Sequence, residues 1–265
     1  MTCYVILLIA LAPYQKILPC ASVSSKRSGV SRRDRSAPDR PRLLICIGRY
    51  TVVLMKADLI AQQDVAARFD LAAGQWDSNP MRIARAKAVA EAIRQALPLR
   101  NDMQVLDFGA GTGLLTLALR PYVGVITAAD ASKEMLHVME GKMSALKISS
   151  VHTLHGDIAS VPLPEVAFDL VVSSMVLHHV KDVPAVLVRL RHCVRPDGWI
   201  ALADLDTEDG SFHSDHTGVY HCGFDRRVLC AWLEQAGFGK AEARDACCFD
   251  RDGRQYSLFL VTGRA

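Results

Sequence analysis

None of the eight cysteines forms a C-x-x-C pair, and Cys3, Cys20, Cys46, Cys193, Cys222, Cys230, Cys247 and Cys248 follow no regular spacing. That lack argues against paired-thiol motifs and a disulfide framework, and leaves buried or free thiols in a reducing, cytoplasmic compartment. Long apolar runs are missing too. The one at Tyr4–Ala12 is about half of the ~20 residues that a membrane-spanning helix requires, so no membrane span is expected. The body also lacks an excess of positive charge. Of the formal net charge of +3, residues 1–54 supply nine Lys/Arg against two Asp, which leaves residues 55–265 with 22 basic against 26 acidic side chains, a net of −4. A mildly acidic body attracts a phosphate backbone poorly, which sets nucleic acid aside as a partner. There is no internal repeat. What is present is apolar material: half of 265 residues are hydrophobic, enough for one large domain with appendages.

Residues 1–54 do not match the rest. Tyr4–Ala12 resembles the core of a signal peptide, but no basic residue precedes it. Ser22–Arg42 is rich in Ser, Arg and Pro and too poor in apolar residues to fold, while Leu43–Met55 is apolar again but interrupted by Arg49. A cleaved targeting segment, a disordered tail and translated upstream sequence with the working start at Met55 all fit. The last is favoured, because a well-patterned domain begins just after Met55. The expected organisation is thus a disordered or non-native extension over 1–54, a helical lid over 55–100 and the main domain over 101–265.

Ala57–Ala73 has helical apolar spacing, the Gly74–Pro80 break follows, and Met81–Leu97 reads as an Ala-rich helix capped by Asn79 or Ser78. The chain then alternates. Strands are expected at Gln104–Phe108, Gly124–Ala129, Val151–His155, Phe168–Ser174 and Trp199–Ala203, and helices at Leu114–Arg120, Ser132–Leu146, Val183–Val194 and Asp225–Ala236. Ala241–Phe249 and Tyr256–Thr262 are joined only by Arg251-Asp252-Gly253, so they should pair antiparallel. This pattern predicts an α/β fold with a doubly wound, Rossmann-like seven-stranded sheet, a closing antiparallel hairpin and an N-terminal helical lid. Such sheets bind ligands at the carboxyl ends of their strands.

The centre of the sequence is Val105–Gly113, a strand running into a turn with glycines at 109, 111 and 113. A backbone without Cβ can approach a ligand there, with the next helix's amides facing it. Asp130 ends the second strand, where an acid accepts from both ribose hydroxyls. In His155-Gly156-Asp157-Ile158, Asp157 suits an adenine amine, Ile158 one ring face, and Met135 the other. The G-x-G-x-G spacing departs from the G-x-G-x-x-G of dinucleotide sites, and Asp107 beside it repels pyrophosphate but suits an ammonium group. A nucleoside with a cationic amino-acid tail fits better than NAD.

On these residues the chain resembles the class I S-adenosylmethionine-dependent methyltransferases. Val105–Gly113 looks like their first motif, Asp130 their ribose acid and Gly156-Asp157-Ile158 their adenine-edge motif. Phe168–Val180 is similar to the strand-four segment of the ubiquinone/menaquinone-methylase-like (type 11) branch, and Val194–Trp199 to the turn before strand five. The resemblance spans roughly 60–262. It implies S-adenosyl-L-methionine as cofactor, bound by Asp107, Gly109, Ala110, Gly111, Gly113, Asp130, Ala131, Met135, Gly156, Asp157, Ile158 and Ser174.

Methyl transfer to O, N, S or C of a small organic acceptor is the expected reaction. The candidate groups near the methyl are His178, His179 and His213, with Trp76, Met175, Asp206 and His221 in the acceptor pocket. The polar stretch Asp204–His213, with His216, His221 and Cys222, has metal-ligating residue types but matches no ligand spacing, so no metal site is assigned. Strand four is followed by Ser173-Ser174-Met175 rather than the Asn/Asp-Pro-Pro-aromatic motif of amino-methylating nucleic-acid enzymes, and no paired-glutamate loop of the arginine-methylating kind is visible. The alternatives are an NAD(P)-binding oxidoreductase and a non-catalytic module that kept the nucleoside pocket. The oligomeric state is not readable.

Overall fold

The computed structural model describes residues 43–47, 50–54, 65–157 and 160–265. The Tyr4–Ala12 and Ser22–Arg42 stretches, the Met55 start and Ile158 lie outside the described residues. Within the stretch assigned to the N-terminal extension, Leu43–Ile47 (β1) and Tyr50–Leu54 (β2) pair antiparallel as a two-stranded sheet of their own.

The main sheet has seven strands: β3 (Gln104–Phe108), β4 (Val125–Asp130), β5 (Val151–His155), β6 (Phe168–Ser174), β7 (Val194–Leu205), β8 (Glu242–Arg251) and β9 (Arg254–Arg264). Their order is β5-β4-β3-β6-β7-β9-β8. The first five are parallel. β9 runs antiparallel between β7 and β8. The β8–β9 turn is Asp252-Gly253 with φ of 55° and 77°, the doubly left-handed form that Asp-Gly adopts most cheaply. Several boundaries shift by a residue or two from the sequence expectation, and β7 departs most. β7 starts at Val194, because the Val194–Gly198 segment is taken up as an irregularity in the β6–β7 pairing and does not form a free turn.

Helices cover both faces. A helix over residues 65–72 (α1) leads through a 3-10 turn at Ala73–Ser78 into α2 (Pro80–Ala96). Then come α3 (Leu114–Leu119), α4 (Lys133–Ala145), α5 (Val183–Cys193) and α6 (Arg226–Gln235). Pro80 at the first turn and the Asn79 Oδ1 acceptor for Met81 N–H (2.9 Å) start α2. Ser132 caps α4 through Met135 N–H (3.1 Å). One core layer joins α5 and α6 to the sheet through Leu187, Leu190, Leu229 and Leu233. The other joins α2 and α3 through Val89, Ile93, Leu115 and Leu119. β6 is buried almost throughout, as a strand covered on both faces must be. Among the described residues no helix is long and apolar enough to cross a membrane.

Candidate functional site

The carboxyl ends of β3, β4, β5 and β6 open into a cleft of 730 Å³, within the roughly 300–1,000 Å³ typical of small-molecule sites. Its floor is the glycine turn. Gly109, Gly111 and Gly113 all have left-handed φ (70°, 54° and 83°). Gly109 N–H and Ala110 N–H both donate to Ala129 O at 2.8 and 3.0 Å, which ties the turn to the end of β4. A Cβ on Gly109 would lie 2.3 Å from a Val176 methyl, and one on Gly113 would strike Met139. At Gly111 a Cβ would meet nothing within 4 Å, because that position opens to the cleft.

Asp130 anchors the turn from the other side. Its Oδ2 accepts from Gly111 N–H at 2.7 Å and its Oδ1 from Ser132 N–H at 2.8 Å. Burial pushes its carboxyl above the usual range against the pull of those two donors. Each oxygen keeps a lone pair for a ligand hydroxyl. Asp107 lines the cleft but is not a free anion. It is buried, accepts from Thr116 Oγ1 at 2.5 Å, and burial, with the neighbouring Asp130, pushes its carboxyl up to about 7. Its preference for an ammonium over pyrophosphate therefore depends on ionisation near neutral pH.

Ala110, Ala131, Met135, Gly156, Asp157, Ser174 and Met175 also line the cleft. Gly113 sits behind it against Met139. Ile158 is outside the described residues. Met175 has φ of 61°, a costly conformation for a residue with a side chain, at the point where β6 leaves the sheet. The space at Gly111 is what a bound nucleoside needs there, and the two-oxygen Asp130 acceptor matches a ribose diol. The residues present thus fit S-adenosyl-L-methionine.

The three candidate histidines are brought together, but only His179 is on the cleft wall. His178 is 1% exposed, with Nδ1 2.7 Å from Asp204 Oδ1 and its backbone N–H 3.3 Å from Asp204 Oδ2. Burial opposes ionisation of Asp204, yet His178 and two backbone N–H groups hold its carboxyl below the usual range. His179 donates from Nδ1 to Gly218 O at 2.8 Å. Burial and then the His178 ring hold it down to about 4. His213 comes from the loop after β7; burial and the other two rings hold it down to about 3.

Two pocket residues read from sequence lie elsewhere. Asp206 is held by Arg226 in a two-pronged pair at 2.6 Å, and His221 Nε2 is spent on Val180 O at 2.9 Å. Neither lines the cleft. Trp76 does, with the Arg82 guanidinium 3.7 Å above its ring.

Four lid residues to which the sequence assigns no role make site contacts. Asp70 accepts from Ser132 Oγ at 2.6 Å and Glu134 N–H at 3.1 Å, and Asp77 accepts from Thr112 Oγ1 and Lys142 Nζ, both at 2.6 Å. These two acids pin the N-terminal segment over the glycine turn and the start of α4. Arg82 and Arg85 project from α2 into the cleft. Arg85 is packed among Phe249, Phe212 and the like-charged Arg82 and Arg251, so burial and then Arg82 lower it to about 10. Its Nε is buried with no hydrogen-bond partner among the described residues. The i, i+3 arginine pair on an otherwise Ala-rich helix was the available signal.

Residues 106–202 match the Methyltransferase domain family model. An uncharacterized methyltransferase of Mycobacterium bovis is 32% identical over 149 residues, 55% of this chain and 73% of that protein. The malonyl-[acyl-carrier protein] O-methyltransferase of Serratia marcescens is 34% identical over 148 residues, 56% of this chain and 55% of that one. The chain spans about half the length of several curated relatives. The crystal structure of YcgJ from Bacillus subtilis superposes with a TM-score of 0.56 at 18% identity, covering 67% of this chain and 97% of that one.

Proposed function

The chain belongs to the type 11 family of class I S-adenosylmethionine-dependent methyltransferases, and on that premise we propose that it methylates a small organic acceptor carrying negative charge. The observation that carries this is the division of the cleft. The glycine turn, Asp130 and Asp157 follow β3, β4 and β5, whereas the half-buried Arg85 packs on Phe249 of β8, the opposite edge strand of the sheet, and Trp76 and Arg82 line the same cleft with it. A guanidinium with a buried, unpaired Nε beside two further arginines is costly until an anion arrives, and a carboxylate or phosphate acceptor supplies one.

The cofactor supplies an activated methyl carbon on a sulfonium. The chain's own residues do the rest by placement. Asp130 orients the ribose, Asp157 the base edge, and the glycine turn lets the backbone meet the amino-acid tail. Arg85 and Arg82 fix the acceptor, and Trp76 with Phe69 covers it from the lid. Holding a lone pair in line at near-contact distance provides much of the acceleration. His179 and His213, held well below neutral by burial and by neighbouring histidine rings, are weak proton acceptors, which favours an acceptor that needs no base. A small molecule also fits a cleft of this volume on a mildly acidic body.

Titration of S-adenosylhomocysteine into the protein should give saturable heat and a thermal shift, while NADH gives neither. Labelled methyl groups should then enter the anionic fraction of a metabolite extract, and Arg85→Gln should abolish that incorporation while keeping S-adenosylhomocysteine affinity. Absence of S-adenosylhomocysteine binding would overturn the cofactor assignment. Binding without transfer to any fraction would leave a non-catalytic module.

A further inference from the structure

We propose that His178, His179 and His213 form a binding site for a divalent transition-metal ion of the zinc class, one ring nitrogen from each, with Asp204 orienting His178 from behind. The three residues come from two segments. His178 and His179 sit on the 3-10 turn Leu177–His179 after β6, and His213 on the loop after β7. One ring nitrogen of each lies within 4.8 Å of the other two. Ring centroids are 4.2 Å apart for His178 and His179, 5.0 Å for His178 and His213, and 5.6 Å for His179 and His213.

The hydrogen bonds around the rings favour ligation. Gly218 O can only accept, so His179 Nδ1 carries the proton and Nε2 keeps its lone pair. Asp204 faces His178 Nδ1 at 2.7 Å, which leaves the opposite nitrogen of that ring for an ion. This carboxylate–histidine and carbonyl–histidine support is the outer shell that metal-ligating imidazoles ordinarily have. The third ring supplies the independent observation: His213 Nε2 is buried and has no hydrogen-bond partner among the described residues. Leaving such an atom unpaired costs about 1–3 kcal/mol, and a bound ion removes that cost.

The donor set selects the metal. Three imidazoles without carboxylate suit zinc, copper, iron or nickel, and suit magnesium or calcium poorly. Asp206, two residues beyond Asp204, is committed to Arg226. Metal–nitrogen bonds of about 2.0–2.1 Å in a tetrahedral set place nitrogens about 3.4 Å apart, so the rings must turn inward on loading. Three protein nitrogens leave a coordination position for water or an acceptor heteroatom. Because His179 is common to the triad and the cleft wall, an ion there borders the acceptor space. The triad stands on ring geometry and on the unpaired His213 Nε2, and does not depend on the acceptor assignment.

The test uses the full chain, stripped with a chelator, dialysed and titrated with Co²⁺ while visible absorption is followed, then competed with Zn²⁺; metal content is read by mass spectrometry. One equivalent of Zn²⁺ per chain is expected, displacing Co²⁺ bands of four-coordinate intensity without a near-ultraviolet thiolate band. His213→Ala should weaken Co²⁺ binding at least tenfold and His216→Ala should not. Stoichiometry near zero, a thiolate band, or equal binding by His213→Ala overturns the site. If His213→Ala does not fold, His213→Gln and the wild-type spectrum decide. S-adenosylhomocysteine titrated into the stripped chain separates the two proposals: retained cofactor binding with no metal uptake overturns the metal site alone.

Discussion

Asp77 and Thr112 lie 35 residues apart and meet at 2.6 Å between Oδ1 and Oγ1. The second oxygen of Asp77 takes Lys142 Nζ at 2.6 Å, so one lid carboxylate holds both the glycine turn and α4. Thr112 is 1% exposed, and truncating Asp77 orphans its hydroxyl. The Lys142 pair is partly exposed and adds little; the charge-assisted bond to a buried hydroxyl contributes about 2 kcal/mol. Asp77→Ala should therefore raise amide hydrogen exchange across residues 65–78 and weaken S-adenosylhomocysteine binding several-fold, with little change in exchange at β3 and β6. Unchanged exchange in the lid would remove its clamping role.

The glycines of the turn should separate stability from binding. Gly109→Ala puts a methyl group 2.3 Å from Val176 at φ of 70°, so it should lower the melting temperature sharply. Gly111→Ala meets open space and carries only the left-handed penalty, about 1–2 kcal/mol. Its methyl group nevertheless fills the cradle. Calorimetry should show a folded Gly111→Ala protein with S-adenosylhomocysteine affinity reduced more than tenfold.

Asp130→Asn tests the ribose acceptor. An amide offers one oxygen where Gly111 N–H and Ser132 N–H now each have their own. One of them is left facing an NH₂ group, at about 1–3 kcal/mol. The expected result is a modest fall in melting temperature and a ten- to hundredfold loss of S-adenosylhomocysteine affinity. A variant that binds as tightly as the wild type would take Asp130 out of the nucleoside site.

The sheet was legible because period and punctuation agreed. Gln104–Phe108, Val151–His155 and Phe168–Ser174 are strands with the same bounds in sequence and structure, and the first two are each stopped by a glycine. β7 was shortened in the reading because Pro196-Asp197-Gly198 is turn chemistry, and only the pairing with β6 and β9 reveals that it is absorbed within a strand. Most of the expected cofactor positions line one cleft, because the glycine turn and the ends of neighbouring strands supply them. The opposite wall was not legible, because it depends on side chains from remote segments. Arg85 meets Phe249, Asp77 meets Thr112, and His213 meets His178 only once the sheet has closed. Asp206 looked free in sequence for the same reason: its partner Arg226 arrives from the next helix.

Asp107 gives the cleft a pH dependence of defined sign. Its folded value, about 7, lies above the ordinary carboxylate value near 3.8 because burial outweighs the Thr116 hydrogen bond. In the free protein the folded state therefore holds a proton that the unfolded chain has released between about pH 4 and 7. Stability contributed by this group is full below about 4, falls as pH rises through that window, and is level above about 7. Ligand binding runs the other way. An ammonium group beside Asp107 favours the ionised carboxylate, so S-adenosylhomocysteine should bind about tenfold more tightly at pH 8 than at pH 6 and release a proton on binding near pH 6.5. Calorimetry in two buffers of different ionisation enthalpy measures that proton directly. Asp107→Asn should flatten the affinity profile and abolish the release while preserving the Thr116 contact. A wild-type profile that is flat from pH 6 to 8 would mean that the amino-acid tail does not engage Asp107.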